Sequence, residues 1–204
     1  MHCAAHGGGE SREAFTYLGT HWAENGYITV FLTHPGSDRK AIEEQGLRGM
    51  GGVKDFHLRP EDVRFVLDKL LSNDAGSKLL QGRLAAEQIA VAGQCAGAST
   101  ALAMVGLRAN LPEKQDATFI DPRFKCAIAL SPQPGGGRSS PLHADSWARI
   151  EVPTLMVTGT PASIPAGSPA AMRANSIRAT RNPTRPSLTA ASNAAAVSCG
   201  TVPL

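Results

Sequence analysis

Gly93-Gln94-Cys95-Ala96-Gly97 places a thiol between two glycines. Small residues on both sides of a nucleophile let the chain turn sharply from a strand into a helix and leave the central side chain exposed. The context agrees, because the apolar run Gln88-Ile89-Ala90-Val91-Ala92 precedes it and the small-residue helix Ala98 to Val105 follows. The positive end of that helix favours thiolate over thiol, and a thiolate attacks carbonyl carbon. The plainer reading is a small buried cysteine in a tight turn, but pattern and context together favour the nucleophile turn. A second candidate is His6-Gly7-Gly8-Gly9, just before the first helix signal. Read with Cys95, the amides of Gly8 and of Ala96, the residue after the nucleophile, are the expected pair of donors for an oxyanion. Phosphate binding is much weaker as a reading, since neither a Walker lysine nor a full G-x-G-x-x-G is present.

Other chemistry-bearing residues read as structural. His6, His34 and His57 are expected in loops or turns rather than as ligands, and without paired spacing no metal is assigned. Cys3, Cys95, Cys126 and Cys199 lack the close pairing of a zinc site or a disulfide framework and are expected as reduced thiols. His143 and Asp145 sit close together after Cys95, in a Pro-Gly-Ser loop between two strands; a solvated loop outweighs a substitute base there. Cys126 is expected to react slowly within an apolar strand, and Cys3 and Cys199 to react through exposure.

The elements that must position Cys95 follow from periodicity. Ser11 caps a helix with Phe15, Leu18 and Trp22 on one face, ending at Asn25-Gly26. Residues 28–32 form a β-branched and aromatic strand running into the turn His34-Pro35-Gly36-Ser37-Asp38, and residues 37–58 read as a glycine-punctuated surface excursion. Pro60 opens a second helix, with Val63, Val66, Leu67, Leu70 and Leu71 on one stripe and Glu61 and Asp62 in its first turn. After an insertion around Leu111-Pro112, residues 126–130 and 154–158 are further strands. Alternating strands and helices imply an α/β fold with a mainly parallel sheet covered on both faces.

The 204 residues suffice for one core, placed at 1–160. Residues 161–204 contain arginines but no Asp, Glu, Lys or His and no aromatic, and are expected to be a disordered tail. Four of the 20 Lys and Arg lie there, so the body holds 16 basic against 17 acidic side chains, which argues against a nucleic-acid surface. No apolar run approaches the roughly 20 residues of a membrane helix, and no leader is evident at the start, so the chain as written reads as cytoplasmic.

These residues also carry a resemblance. His6 to Glu13, the His34–Asp38 turn, Arg59-Pro60-Glu61-Asp62-Val63, the Cys95 turn, Asp121-Pro122-Arg123, Ala129-Leu130-Ser131-Pro132 and Val152-Pro153-Thr154-Leu155 resemble α/β-hydrolases of the dienelactone hydrolase and platelet-activating-factor acetylhydrolase-like kind, over residues 6–160. The resemblance implies hydrolysis of a small-molecule ester or lactone without a cofactor, and a short fifth strand, a stub near Cys3–Ala5, between strands 28–32 and 88–92. Dienelactone hydrolase itself uses cysteine at this turn; most acetylhydrolase-like relatives carry serine. The resemblance also implies strands before His6, where this chain has five residues, and a triad acid and histidine after residue 158, where none occurs. The composition break at Pro161 therefore reads as a shifted frame or a gene fragment, which sequencing the locus would decide. The expectation is an α/β-hydrolase by descent with weak or no activity; the alternatives are a non-catalytic binding protein and a non-functional fragment.

Overall fold

The computed structural model describes residues 1–46, 53–72, 78, 80, 82–132 and 140–157. Thr158 and the expected tail, with Cys199, lie outside the described residues. In chain order the elements are β1 (His2–Ala5), α1 (Thr16–Glu24), β2 (Thr29–Leu32), α2 (Arg39–Gln45), α3 (Asp55–Leu71), β3 (Ile89–Gln94), α4 (Ala96–Met104), β4 (Ala109–Leu111), β5 (Lys114–Ala117), β6 (Phe124–Leu130) and β7 (Thr154–Val157). The main sheet runs β2-β1-β3-β6-β7, and every neighbouring pair is parallel. This is the α/β architecture expected, with the short N-terminal strand in its expected place between β2 and β3.

Alternation along the strands sorts their side chains onto two faces. Cys3, Leu32, Val91, Ala127, Ala129 and Met156 lie on one face and pack with Val63 and Leu67 of α3 and Leu102 of α4. Val63, Leu67, Val91 and Leu102 are each at most 1% exposed, and each such side chain contributes about 1.5–3 kcal/mol through burial. The opposite face holds His2 and Phe31. There α1 lies across β1 and β2, with Trp22 stacked on His2 at 4.5 Å and Gly19 against Phe31. Further along that face, Cys126, Ile128 and Leu130 are half-buried and Leu155 is exposed.

Several boundaries differ from the sequence reading. The segment after Ser11 begins as turns, and regular helix starts only at Thr16, without a side-chain cap. Helix α3 starts at Asp55 rather than at Pro60, which lies inside it. Pro60 gives up the hydrogen bond to the carbonyl four residues back and crowds that carbonyl, and the helix nevertheless continues through it to Leu71. Helix α4 starts at Ala96, directly after Cys95, because its first turn is part of the same bend. The expected insertion is a small antiparallel hairpin, β4 with β5, turning at Pro112-Glu113.

Gly106 ends α4 with φ +126°, and a Cβ there would lie 2.2 Å from the Arg149 carbonyl oxygen; Gly26 has φ +83° and open space around it. Gly26→Ala should therefore cost only conformational strain, about 1 kcal/mol, whereas Gly106→Ala adds a backbone collision and should cost at least about 3 kcal/mol. Urea unfolding of the two variants checks the difference.

Candidate functional site

Strand β3 delivers Cys95 to the C-terminal edge of the sheet. Its backbone is at φ 54°, ψ −115°, a region that non-glycine residues rarely occupy. Three hydrogen bonds hold it there: the Cys95 amide donates to the Leu130 carbonyl at 2.9 Å, and its carbonyl accepts from the Ala98 amide at 3.1 Å and the Ser99 amide at 3.4 Å. The flanking glycines are needed for space. A Cβ on Gly93 would fall 2.1 Å from the Gly97 carbonyl oxygen, and one on Gly97 would fall 2.0 Å from that of Ala5 and 2.7 Å from that of His6. Strand, turn, helix and the end of β1 are thus in backbone contact. The Cys95 side chain is half-buried.

That contact brings the His6–Gly9 loop beside Cys95. Gly7 lies under Glu10 and Gln94, whose side-chain oxygens would be 2.8 and 2.9 Å from a Cβ. The Gly7 amide donates to Glu10 Oε2 at 2.9 Å, and the Gly9 amide donates to the Ser37 carbonyl at 2.9 Å. The Gly8 amide has no acceptor among the described residues, and neither does that of Ala96 in the opening turn of α4. Among the described residues, the two amides expected to act as donors are therefore both unengaged.

Below the loop is a polar cluster that the sequence reading did not assemble. His6 is 1% exposed, with Nδ1 2.6 Å from the Gly7 carbonyl oxygen and Nε2 2.9 Å from the His34 amide. The first partner can only accept and the second can only donate, so His6 carries its proton on Nδ1 and is neutral. Burial pushes its pKa down to about 4, opposed by the Gly7 hydrogen bond and assisted by the charge of Arg59. His34, fully buried, donates from Nδ1 to Asp62 at 2.8 Å; burial lowers its pKa against the pull of Asp62. Arg59, 2% exposed, donates to the His6 carbonyl at 2.7 Å, the Gly7 carbonyl at 3.3 Å and Ser37 Oγ at 3.0 Å, and lies 3.6 Å from Asp55. Burial lowers the Arg59 pKa; the charges opposing this are Asp55 first, then Cys95, Asp62 and Glu10.

Other candidates separate from this site. His34 and His6 are buried anchors rather than simple loop residues, and His57 is helical, 3.5 Å from Glu61. His143 pairs with Asp116 at 3.1 Å, not with Asp145. Its segment is bonded to the chain just past α4, through the Arg108 amide and the Ser146 carbonyl. Because α4 runs back from Cys95, that places His143 at the opposite end of the sheet. Cys3 is not accessible as expected: it is 1% exposed, and burial raises its pKa to about 12. Burial also raises that of Cys126. Asp55, Arg59 and Asp62 follow helical spacing in the sequence, and that signal would have joined them had the helix been started before Pro60.

Among the described residues, no helix is long and apolar enough to cross a membrane, and no three His, Cys, Asp or Glu side chains are grouped to hold a metal ion. Comparison with protein-family models and with curated proteins finds no match.

The neutral His6 makes stability depend on pH. Its folded pKa of about 4 lies below the ordinary 6.5, so the unfolded chain binds the extra proton first as pH falls. The stabilisation is complete above pH 6.5 and is lost progressively toward pH 4, by up to about 3 kcal/mol. His34 acts in the same direction. In His6→Gln, whose Oε1 can accept from the His34 amide without titrating, the fall in unfolding free energy between pH 7 and pH 4.5 should be smaller than in the unmodified protein. Urea titrations at both pH values measure it.

Proposed function

We propose that this chain is an acyl-transfer protein of the α/β-hydrolase kind, similar to dienelactone hydrolase, acting on a small ester or lactone through Cys95. The observation that carries this reading is Cys95 at positive φ, between β3 and α4, against a glycine loop with an unengaged amide. Backbone strain of about 1–3 kcal/mol is retained where the surroundings fix it and where it exposes a reacting group. In the proposed reaction the sulfur attacks the carbonyl carbon, the Gly8 and Ala96 amides receive the developing negative oxygen, and the alkoxide or phenoxide leaves with the bonding pair. Water then releases the acid.

Release is expected to be the slow step. No Asp, Glu or His follows Val157 in these 204 residues, and His143 stands at the other end of the sheet. A missing general acid-base group costs on the order of 100- to 10,000-fold. No cofactor enters this chemistry.

4-Nitrophenyl acetate is the appropriate probe, since its phenolate leaves as an anion and needs no proton donor. Acetyl-Cys95 should accumulate and hydrolyse slowly, and mass spectrometry should place the label on Cys95 at least tenfold above Cys3 and Cys126. Cys95→Ala should remove it. Equal labelling of the cysteines, or none on Cys95, would count against the proposal.

A further inference from the structure

We propose that Arg59 is a positioning residue for acyl transfer, acting through the Gly7–Gly8 peptide group to aim the Gly8 amide; this rests on the acyl-transfer reading of Cys95. In a trans peptide the carbonyl and amide lie in one plane and point in opposite directions. Arg59 Nη2 and His6 Nδ1 both bond the Gly7 carbonyl oxygen, at 3.3 and 2.6 Å. Holding that oxygen inward turns the N–H of Gly8 outward, away from the guanidinium. Arg59 Nη1 fixes the preceding carbonyl, that of His6, at 2.7 Å, and the His6 carbonyl borders the space that a Cβ on Gly97 would fill. One side chain therefore sets two successive peptide planes beside the Cys95 turn.

Energetics argue that the arginine is present for this geometry. A guanidinium 2% exposed carries a desolvation cost of several kcal/mol, and a whole buried ion pair can often be replaced by apolar side chains without loss of stability, whereas removing one partner strands the other. Its benefit is directional: a planar fork reaches two carbonyls and Ser37 Oγ at once, which an ammonium group cannot do. A cation on a peptide carbonyl also polarises that unit, so the Gly8 N–H becomes a stronger donor. Asp55 and Asp62 stand at helical spacing from Arg59, the first 3.6 Å from its guanidinium and the second bonded to His34. One stripe of α3 thus secures the loops after both β1 and β2.

The test compares two reactions of the same sulfur in the full chain. Acetylation by 4-nitrophenyl acetate passes through an oxyanion; alkylation by iodoacetamide does not. In Arg59→Met and Arg59→Lys, acetylation of Cys95 should fall about 10- to 100-fold while alkylation changes less than threefold. A second readout is amide exchange, which should rise at Gly7 and Gly9 in both variants and stay unchanged at Val91 and Leu102. A parallel fall in both reactions would make Arg59 a determinant of thiol reactivity and overturn the proposal, as would full acetylation in either variant. Failure of the unmodified protein to acetylate Cys95 would remove the acyl-transfer reading and, with it, the role given to Arg59. Unaltered exchange at Gly7 and Gly9 would show that Arg59 does not hold the loop, whatever Cys95 does.

Discussion

Backbone meets backbone where the first turn of α4 crosses the end of β1. Gly97 has no room for a side chain there, and neither has Gly93 near the end of β3. This contact fixes how far β1 can rise beside β3, where the His6–Gly9 loop leaves the sheet, and how close that loop comes to Cys95. Parallel pairing supplies the rest: Ala5 is level with both Leu32 and Gly93, so three loops leave the sheet at one height. The candidate site's edge is a product of register as much as of side-chain chemistry.

Charge is buried beneath that edge, against the usual preference for a dry core. Arg59, His6 and His34 are each at most 2% exposed, and the cluster is tolerated because two of the three are neutral and the third is bonded to carbonyls, with His34 Nε2 left without a partner among the described residues. Neutral histidines act here as rigid, two-ended connectors: His6 ties its own loop to the one after β2, and His34 ties the latter to α3. Such a network specifies a single arrangement, because moving any member leaves a buried donor or acceptor without a partner.

How much of this was legible in the sequence depended on the kind of signal. Four of the five strands were readable, since apolar and β-branched runs such as Thr29–Leu32 and Thr154–Val157 stand between polar turns, whereas the short β1 was expected only from the family resemblance. The Cys95 turn was readable because glycine spacing is itself the structural requirement. Pro60 reads in the sequence as a first helical residue, yet it lies inside α3. A helix begun at Pro60 separates Asp55 and Arg59 from Asp62, and the cluster goes unseen. The histidine anchors were not legible for a different reason: the bond from the His34 amide to His6 joins residues 28 apart in sequence, and nothing local to either announces it. Likewise His143 and Asp145 were neighbours in sequence, yet the chain direction of α4 carries them to the far end of the sheet.

The position of β1 bears on how the chain reaches its fold. Its four residues are interior to the sheet, yet the partners on one side are far along the chain: the Met1 amino group bonds the Gln88 carbonyl across 87 residues. Such separation makes the central ladder a late event, because the entropy of closing a large loop must be offset before the pairing contributes. Until then β1 has open backbone on the side that β3 will occupy, the kind of edge that recruits other chains. His2-Cys3-Ala4-Ala5 is short and mostly small-sided, which makes it a weak template for mispairing. The features that let β1 fit between two neighbours thus also limit aggregation while the chain waits for the second of them.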